Sequence, residues 1–158
     1  MTDAAAAGVV ATLTRRGETL ATAESLTGGQ LAATVVDVPG ASAVLRGGLV
    51  VYASDLKVSL AGVPPDLLER VGPVDPDVAV ALARGARDRC GANWALSTTG
   101  VAGPEPHGGQ PAGTVFVGLA GPDLVRVERL DLSGDRSAVR SGTVDTALRL
   151  LASVLAGR

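Results

Sequence analysis

The junction between a short apolar strand and a helix is the feature that most constrains the fold of this chain. Residues 19–23 have the pattern of a buried strand, and residues 30–36 have that of a helix with one apolar face. The turn between them is built from small and polar residues and includes Ser25. A strand, a tight turn and a helix in this order are typical of an α/β domain.

The turn itself predicts a binding site. We expect the helix to begin near Thr27, so its first N–H groups lack partners within the helix. Gly28 and Gly29 allow another molecule to approach the backbone closely, and the turn is therefore predicted to hold an anion or an oxyanion beside Ser25. The alternative is structural: Ser25 or Thr27 caps the helix, and the two glycines only pack against the sheet.

Length, charge and composition exclude several classes of protein. The 158 residues are enough for one domain, predicted to span 1–158. A net charge of −2, with one Phe, one Tyr and one Trp, argues against a nucleic-acid partner. One Cys and one His exclude an internal disulfide and a zinc site of the usual kind, so metal chemistry would have to rest on carboxylates. We expect neither a metal nor a cofactor.

Nothing in the sequence indicates export or membrane insertion. Residues 1–10 contain the acidic Asp3 and lack a basic region followed by an apolar core, which argues against a secretory signal. No apolar run approaches the roughly 18 to 20 residues that a membrane-spanning helix needs. We therefore expect a cytoplasmic protein without a membrane partner.

Strands and helices alternate along the chain. Periodicity and start and stop signals predict helices at 4–16, 30–36, 54–60, 64–71, from Asp75 onward, and at 136–155. Strands are predicted at 19–23, 49–52, 94–98, 114–119 and 125–132, with the second buried on both faces and the last two paired as an antiparallel hairpin. This order predicts a three-layer α/β/α sandwich around a mixed, mostly parallel sheet.

Three strand ends carry polar or glycine-rich segments. They begin at Glu24, at Tyr52 and at Ser97, and the third runs through Thr98, Thr99 and Gly100 into a Gly/Pro-rich stretch at 103–113. Open α/β sheets bind ligands beyond the carboxyl ends of their strands. If the strands are parallel and adjacent, the three segments meet at one site. The Gly/Pro-rich stretch is long enough to be a functional loop, although Thr98 and Thr99 can also be read as turn residues.

A serine nucleophile needs a base, and Lys57 is the candidate. It is the only lysine among 14 basic side chains, and arginine cannot serve as a base because it stays protonated. A lysine buried beside a serine loses solvation, so its pKa falls and its amine can accept the serine proton. The alternative is a solvated surface lysine. We interpret His107, the only imidazole, as a residue of the loop, and Cys90 as a small buried apolar residue.

Two arginines at the start of the last helix predict an anion site. Arg136 and Arg140 stand four residues apart, on one helix face. Cations are unfavourable at a helix N-terminus unless an anion shares the place, and a ligand phosphate would fit. The alternative is that Asp135 caps the helix and neutralises both arginines.

With these residues assembled, the chain resembles the C-terminal domain family of the competence/damage-inducible protein CinA, whose stand-alone members are nicotinamide-nucleotide amidases. The resemblance covers about residues 20–151 and lies in four ordered blocks: 23–29; 47–54 with Lys57; 99–104, leading through 108–109 to 111–115; and 134–136 with 139–140. The family's larger fused form has an additional N-terminal domain, which we do not expect in this chain.

The resemblance implies hydrolysis of the carboxamide of nicotinamide mononucleotide to nicotinic acid mononucleotide and ammonia, without a metal. Ser25 and Lys57 match the family's catalytic pair, and Tyr52, Thr99 and either Arg136 or Arg140 match other site positions. Backbone N–H groups near Thr27 and Gly28 are expected to hold the oxyanion. The full predicted substrate-binding set is Glu24, Thr27, Gly28, Gly29, Gly100, Arg136 and Arg140.

The sequence departs from the family pattern in three places. Leu26 replaces the usual cysteine, Asp75 replaces a serine, and Asp55 adds a charge that would hold the Lys57 amine protonated. The alternative function is therefore a non-catalytic nucleotide-binding or interaction module, and a weaker one is a metal hydrolase based on carboxylates. For the amidase and for the non-catalytic module alike, the expected partner is a small nucleotide. We also expect the protein to form a homo-oligomer.

Overall fold

The computed structural model describes residues 2–158, which form six helices and five strands. The helices are α1 (Thr2–Arg16), α2 (Gln30–Val36), α3 (Ser54–Ser59), α4 (Pro65–Val71), α5 (Pro76–Cys90) and α6 (Arg136–Ala156). The strands are β1 (Leu20–Glu24), β2 (Leu45–Val50), β3 (Trp94–Gly100), β4 (Thr114–Ala120) and β5 (Val125–Asp131). A short 3-10 helix, Ala41–Ala43, precedes β2.

The strands form one sheet in the order β2-β1-β3-β4-β5. β1 pairs in parallel with both β2 and β3, whereas β3 with β4 and β4 with β5 pair antiparallel. Only β4 therefore runs against the other strands. The predicted hairpin of β4 and β5 is confirmed, and so is the mixed sheet.

Helices cover both faces of the sheet. On one face α1, α2 and α6 pack through a large aliphatic cluster that includes Val9, Leu31 and Leu148. On the other face α5 packs through Val78 and Leu82 against alanines of β1 and β3. Because side chains alternate across a strand, Leu20 faces the first cluster and its neighbour Ala21 the second. The three-layer α/β/α prediction is confirmed.

The prediction that the second strand is buried on both faces is wrong. β2 lies at the edge of the sheet, and its residues alternate between half-buried and exposed. The apolar run that suggested burial continues past the strand, and of its residues Val51 is fully buried. Gly48 of β2 lets this strand lie close to β1, because a Cβ at Gly48 would lie 2.5 Å from Oγ1 of Thr22 on β1.

The topology fixes where a site can lie. β1, β2 and β3 are adjacent and parallel, so their carboxyl ends meet at one edge, where Glu24 pairs with Val50 on one side and Thr98 on the other. The condition for convergence of the three segments is thus met. Within residues 2–158, no helix is both long enough and apolar enough to cross a bilayer.

Candidate active site

The turn after β1 places Ser25 at the carboxyl end of the strand. The Ser25 N–H donates to the main-chain oxygen of Thr98 at 3.0 Å, which ties the turn to β3. Gly28 and Gly29 have φ of 58° and 101°, in the left-handed region that favours glycine. Helix α2 has the bounds that the apolar pattern of 30–36 predicts, whereas the expected start near Thr27 is wrong because these glycines keep the turn out of the helix.

Glu24 occupies the start of α2. Its Oε1 accepts the N–H groups of Gly29 at 3.2 Å and Leu31 at 2.8 Å, and its Oε2 accepts that of Ala32 at 3.0 Å. The hydroxyl of Thr27 donates to Oε1 at 2.7 Å. A carboxylate of the chain itself therefore fills the expected anion site at this helix end.

Two predictions about this turn are corrected by that contact. The cap of α2 is neither Ser25 nor Thr27, since Gly29 is the N-cap residue and the capping oxygens come from Glu24. Glu24 is 1% exposed, and both of its carboxylate oxygens accept hydrogen bonds from neighbouring residues. Its predicted role as a ligand contact is therefore corrected.

Lys57 is brought to Ser25 by the first turn of α3. Its Nζ lies 3.1 Å from Ser25 Oγ, 2.9 Å from the carbonyl oxygen of Val51 and 3.3 Å from that of Tyr52. The side chain is 1% exposed, so the alternative of a solvated surface lysine is wrong. Burial removes water from the ammonium form and lowers the pKa of the Lys57 amine below its ordinary value.

The described surroundings of the Lys57 amine hold no negative charge that would stabilise its ammonium form. No ion pair between Lys57 and a carboxylate occurs in residues 2–158, and Asp55, which was expected to hold the amine protonated, is exposed. A neutral amine has two N–H groups and one lone pair. The carbonyls of Val51 and Tyr52 can accept both N–H groups, which leaves the lone pair for the Ser25 hydroxyl.

A cavity of about 540 Å³ opens over this pair. Six predicted site residues line it: Ser25, Tyr52, Lys57, Thr99, Gly100 and Arg136. The Gly/Pro-rich loop supplies one wall, as its length suggested, and the loop residues Glu105, Pro106 and His107 face the cavity, as do Leu26, Pro73 and Val74. The sequence indicated the loop, with His107 in it, and drew attention to Leu26, but no signal singled out Pro73, Val74, Glu105 or Pro106.

The two arginines of α6 have different places. Arg136 lines the cavity, where Nη1 donates to the carbonyl of Gly103 at 2.8 Å and Nη2 to the Tyr52 hydroxyl at 3.0 Å. Arg140 instead holds the serine turn, donating to the carbonyls of Leu26 at 2.9 Å and Thr27 at 3.0 Å. Of the two arginines, Arg136 faces the cavity and stays the candidate for the predicted ligand contact, whereas the predicted ligand contact of Arg140 is corrected.

The alternative prediction for this helix start, that Asp135 caps the helix and neutralises both arginines, is correct only for the cap. Asp135 caps α6, since its Oδ1 accepts the N–H of Ala138 at 2.9 Å. It does not neutralise the arginines, because no ion pair joins it to Arg136 or Arg140 in the described part of the chain.

Tyr52 and Thr99 differ in what they can offer a ligand. Tyr52 is 60% exposed, and its hydroxyl accepts from Arg136, so its own O–H remains a free donor. Thr99 uses its hydroxyl proton on the carbonyl of Pro73 at 2.6 Å. Toward the cavity it can therefore only accept a hydrogen bond.

The donors available to an oxyanion also differ from the prediction. The N–H of Gly28 donates to Ser25 O at 3.1 Å, and that of Gly29 to Glu24, so neither glycine can bind an oxyanion or a substrate through its N–H. Within residues 2–158, the N–H groups of Leu26 and Thr27 have no hydrogen-bond acceptor. Leu26 lines the cavity next to Ser25, whereas Thr27 does not line it, so of the two only the Leu26 N–H is placed to meet a group in the cavity.

The prediction that Thr27 binds a ligand is corrected. The residue is fully buried, its hydroxyl donates to Glu24, and it does not line the cavity. Among residues 2–158, no group of three or more His, Cys, Asp or Glu side chains is placed to hold a metal ion.

The fold and site define a three-layer α/β domain with a buried serine-lysine pair at the carboxyl ends of its parallel strands. The profile of the CinA C-terminal domain matches residues 2–155, and the chain belongs to this family. A CinA-like protein of Frankia casuarinae is 49% identical over 149 residues, and one of Anaeromyxobacter sp. is 51% identical over 147.

These alignments include 94% and 90% of this chain but only 34% and 35% of the two relatives. The chain thus spans about a third of the length of the curated relatives it matches. Two solved structures share the fold of this chain over nearly all of both chains. A CinA superfamily protein of Klebsiella pneumoniae has a TM-score of 0.96 at 30% identity, with 100% of this chain and 99% of that chain covered. The protein CihA of Agrobacterium tumefaciens has a TM-score of 0.94 at 32% identity, with 97% and 94% covered.

Proposed function

We propose that this domain is a nicotinamide-nucleotide amidase, which hydrolyses the carboxamide of nicotinamide mononucleotide to nicotinic acid mononucleotide and ammonia. The observation that carries the chemistry is the 3.1 Å contact between Lys57 Nζ and Ser25 Oγ at the floor of the cavity. The choice of substrate rests on the resemblance of the site motifs to the amidases of the CinA family.

In the first half of the reaction Ser25 becomes acylated. The Lys57 amine takes the proton of the Ser25 hydroxyl as Oγ attacks the carboxamide carbon. The negative charge that develops on the carbonyl oxygen is held by the N–H group of Leu26, which lines the cavity beside Ser25. The carbon–nitrogen bond then breaks, Lys57 returns the proton to the departing nitrogen, and ammonia leaves.

In the second half a water molecule releases the product. Lys57 is again neutral, takes a proton from the water and directs the hydroxide onto the ester carbon. Collapse of the second tetrahedral intermediate returns a proton from Lys57 to Ser25 Oγ and frees the carboxylate. The lowered pKa of Lys57 suits both halves, since the amine must accept and return a proton near neutral pH.

The nucleotide part of the substrate is held by Arg136 and Tyr52, which also line the cavity. Arg136 offers its guanidinium to the 5′-phosphate, and a planar fork of N–H donors is suited to phosphate oxygens. The Tyr52 hydroxyl, beside Arg136, supplies a further donor. A phosphate at this place does not compete with Glu24, which is bound to the start of α2.

Ammonia release from nicotinamide mononucleotide by the purified protein and its Ser25→Ala variant tests the function. We expect the variant to lose about a thousandfold or more of the rate, because removal of a nucleophile removes the covalent path. Ser59→Ala, an exposed serine at the end of α3, is the matched control and should keep the wild-type rate.

Undiminished turnover by Ser25→Ala would overturn the nucleophile assignment. Binding of the nucleotide by the wild-type protein without any ammonia release would instead favour the non-catalytic module.

A further inference from the structure

Two buried threonine side chains, those of Thr98 and Thr27, connect Ser25 to the buried carboxylate of Glu24, and none of the three side chains lines the cavity. Thr27 Oγ1 lies 2.7 Å from Glu24 Oε1, and Thr98 Oγ1 lies 2.8 Å from Thr27 Oγ1. The backbone N–H of Ser25 points to Thr98 Oγ1 at 3.4 Å, in addition to its bond with the Thr98 carbonyl. The mechanism above uses none of these three side chains.

The direction of each hydrogen bond follows from the carboxylate. An ionised Glu24 can only accept, so the hydroxyl of Thr27 must donate to it. Thr27 has then spent its single proton, and its oxygen accepts the proton of Thr98. Thr98 in turn has an oxygen lone pair free to accept the N–H of Ser25. The chain of bonds therefore has one orientation, from Ser25 to Glu24.

The side chains that form this series of hydrogen bonds are buried and cannot bind the substrate directly. Glu24, Thr27 and Thr98 are all at most 1% exposed, and none of their side chains lines the cavity. Glu24 also anchors the other end of the turn, where it accepts from Leu31 and Ala32. The turn that carries Ser25 is thus fixed at both ends by one carboxylate.

We propose that Glu24, acting through the hydroxyls of Thr27 and Thr98, positions the backbone of Ser25 so that Oγ meets Lys57 and the neighbouring N–H of Leu26 points to the oxyanion. Thr98 is then a positioning residue of the nucleophile. The inference rests on the proposed function only in taking Ser25 as the nucleophile. A displacement of about 1 Å at a reacting group can cost about a hundredfold in rate, so a small loosening of the turn is measurable.

Thr98→Val tests this, because valine keeps the shape of threonine and removes the hydroxyl. We expect kcat for nicotinamide mononucleotide to fall by about tenfold to a hundredfold while KM changes less than about threefold, since the cavity wall is untouched. Thr98→Ser keeps the hydroxyl and should restore most of kcat.

Thr22→Val is the matched control. Thr22 is a fully buried strand threonine two residues before Glu24, and within residues 2–158 its hydroxyl has no hydrogen-bond partner. The same substitution there should leave kcat within about twofold, because no bond is lost. If Thr98→Val does not fold, as judged by circular dichroism, Thr27→Val breaks the same chain one step further on and carries the same expectation.

Labelling of Ser25 by a fluorophosphonate, followed by intact-mass measurement, makes the inference independent of the substrate. We expect the labelling rate of Thr98→Val to be about tenfold or more below those of the wild type and Thr22→Val. If the wild type is labelled at Ser25 but releases no ammonia, the proposed function fails and the positioning role is still decided by this comparison.

Wild-type kcat and labelling in a folded Thr98→Val would overturn the inference. An equal loss in Thr98→Ser and Thr98→Val, or a wild type that is not labelled at Ser25, would overturn it as well.

Discussion

At the scale of single residues, the burial of Lys57 decides the chemistry. A lysine that is 1% exposed loses the hydration of its ammonium form, and no carboxylate of residues 2–158 compensates that loss with an ion pair. The amine is held instead by the carbonyls of Val51 and Tyr52, which accept N–H groups in either protonation state. The side chain is therefore suited to exchange a proton with Ser25.

The pH dependence of turnover follows from this burial. Because the pKa of Lys57 is lowered, the neutral amine that accepts the Ser25 proton is present at lower pH than for a solvated lysine. We expect kcat/KM for nicotinamide mononucleotide to rise with pH through the pKa of Lys57 and then to level off, below the range where a free lysine titrates.

A pH series of initial rates at low substrate concentration measures this profile. A limb that continues to rise into the range of ordinary lysines would contradict the assignment, because it would describe a base that is not desolvated.

The sequence was sufficient to single out Lys57 but not to show its state. It is the only lysine of the chain, and the resemblance assigned it a partner in Ser25. Whether a side chain is buried depends on residues distant in the chain, here those at the carboxyl end of β2 and in the serine turn. The role of Glu24 was missed for the same reason, since it caps a helix that begins several residues later.

At the scale of elements, the first turns of α6 carry two arginines, Arg136 and Arg140, that contact different parts of the molecule. Their spacing predicts a shared helix face, but only the packing of α6 shows that Arg136 reaches the cavity while Arg140 holds the carbonyls of the serine turn. The apolar pattern gave the bounds of α2, but the expectation of a start near Thr27 was wrong because the capping carboxylate comes from Glu24 of the preceding strand.

Arg136→Ala should weaken recognition of the phosphate. We expect KM for nicotinamide mononucleotide to rise about tenfold to a hundredfold, since a hydrogen bond to a charged group contributes about 1.5–3 kcal/mol. Nicotinamide riboside, which lacks the phosphate, should show little change. Steady-state kinetics on both compounds make the comparison.

Arg126→Ala, on β5, is the matched control and should alter neither constant, since Arg126 does not line the cavity. Equal losses of kcat/KM for the nucleotide and the riboside in Arg136→Ala would contradict a phosphate contact.

At the scale of the whole molecule, the sheet order creates the site. β1 lies between β2 and β3, and the three parallel strands end at one edge, where Ser25, Lys57 and the loop wall come together. The alternation of strands and helices was enough to predict the three layers. It did not predict that β2 is the exposed edge strand, because an apolar run alone does not show which strands lie beside it.

The most direct test of the central claim is the rate of ammonia release from nicotinamide mononucleotide by Lys57→Met and Lys57→Arg beside the wild type. Neither replacement can accept a proton from Ser25, and arginine keeps the positive charge. We predict that both variants, folded by circular dichroism, lose about a thousandfold or more of the wild-type rate. A Lys57→Arg variant that keeps most of that rate would contradict the account, because Lys57 would then act through its charge and not as the base of Ser25.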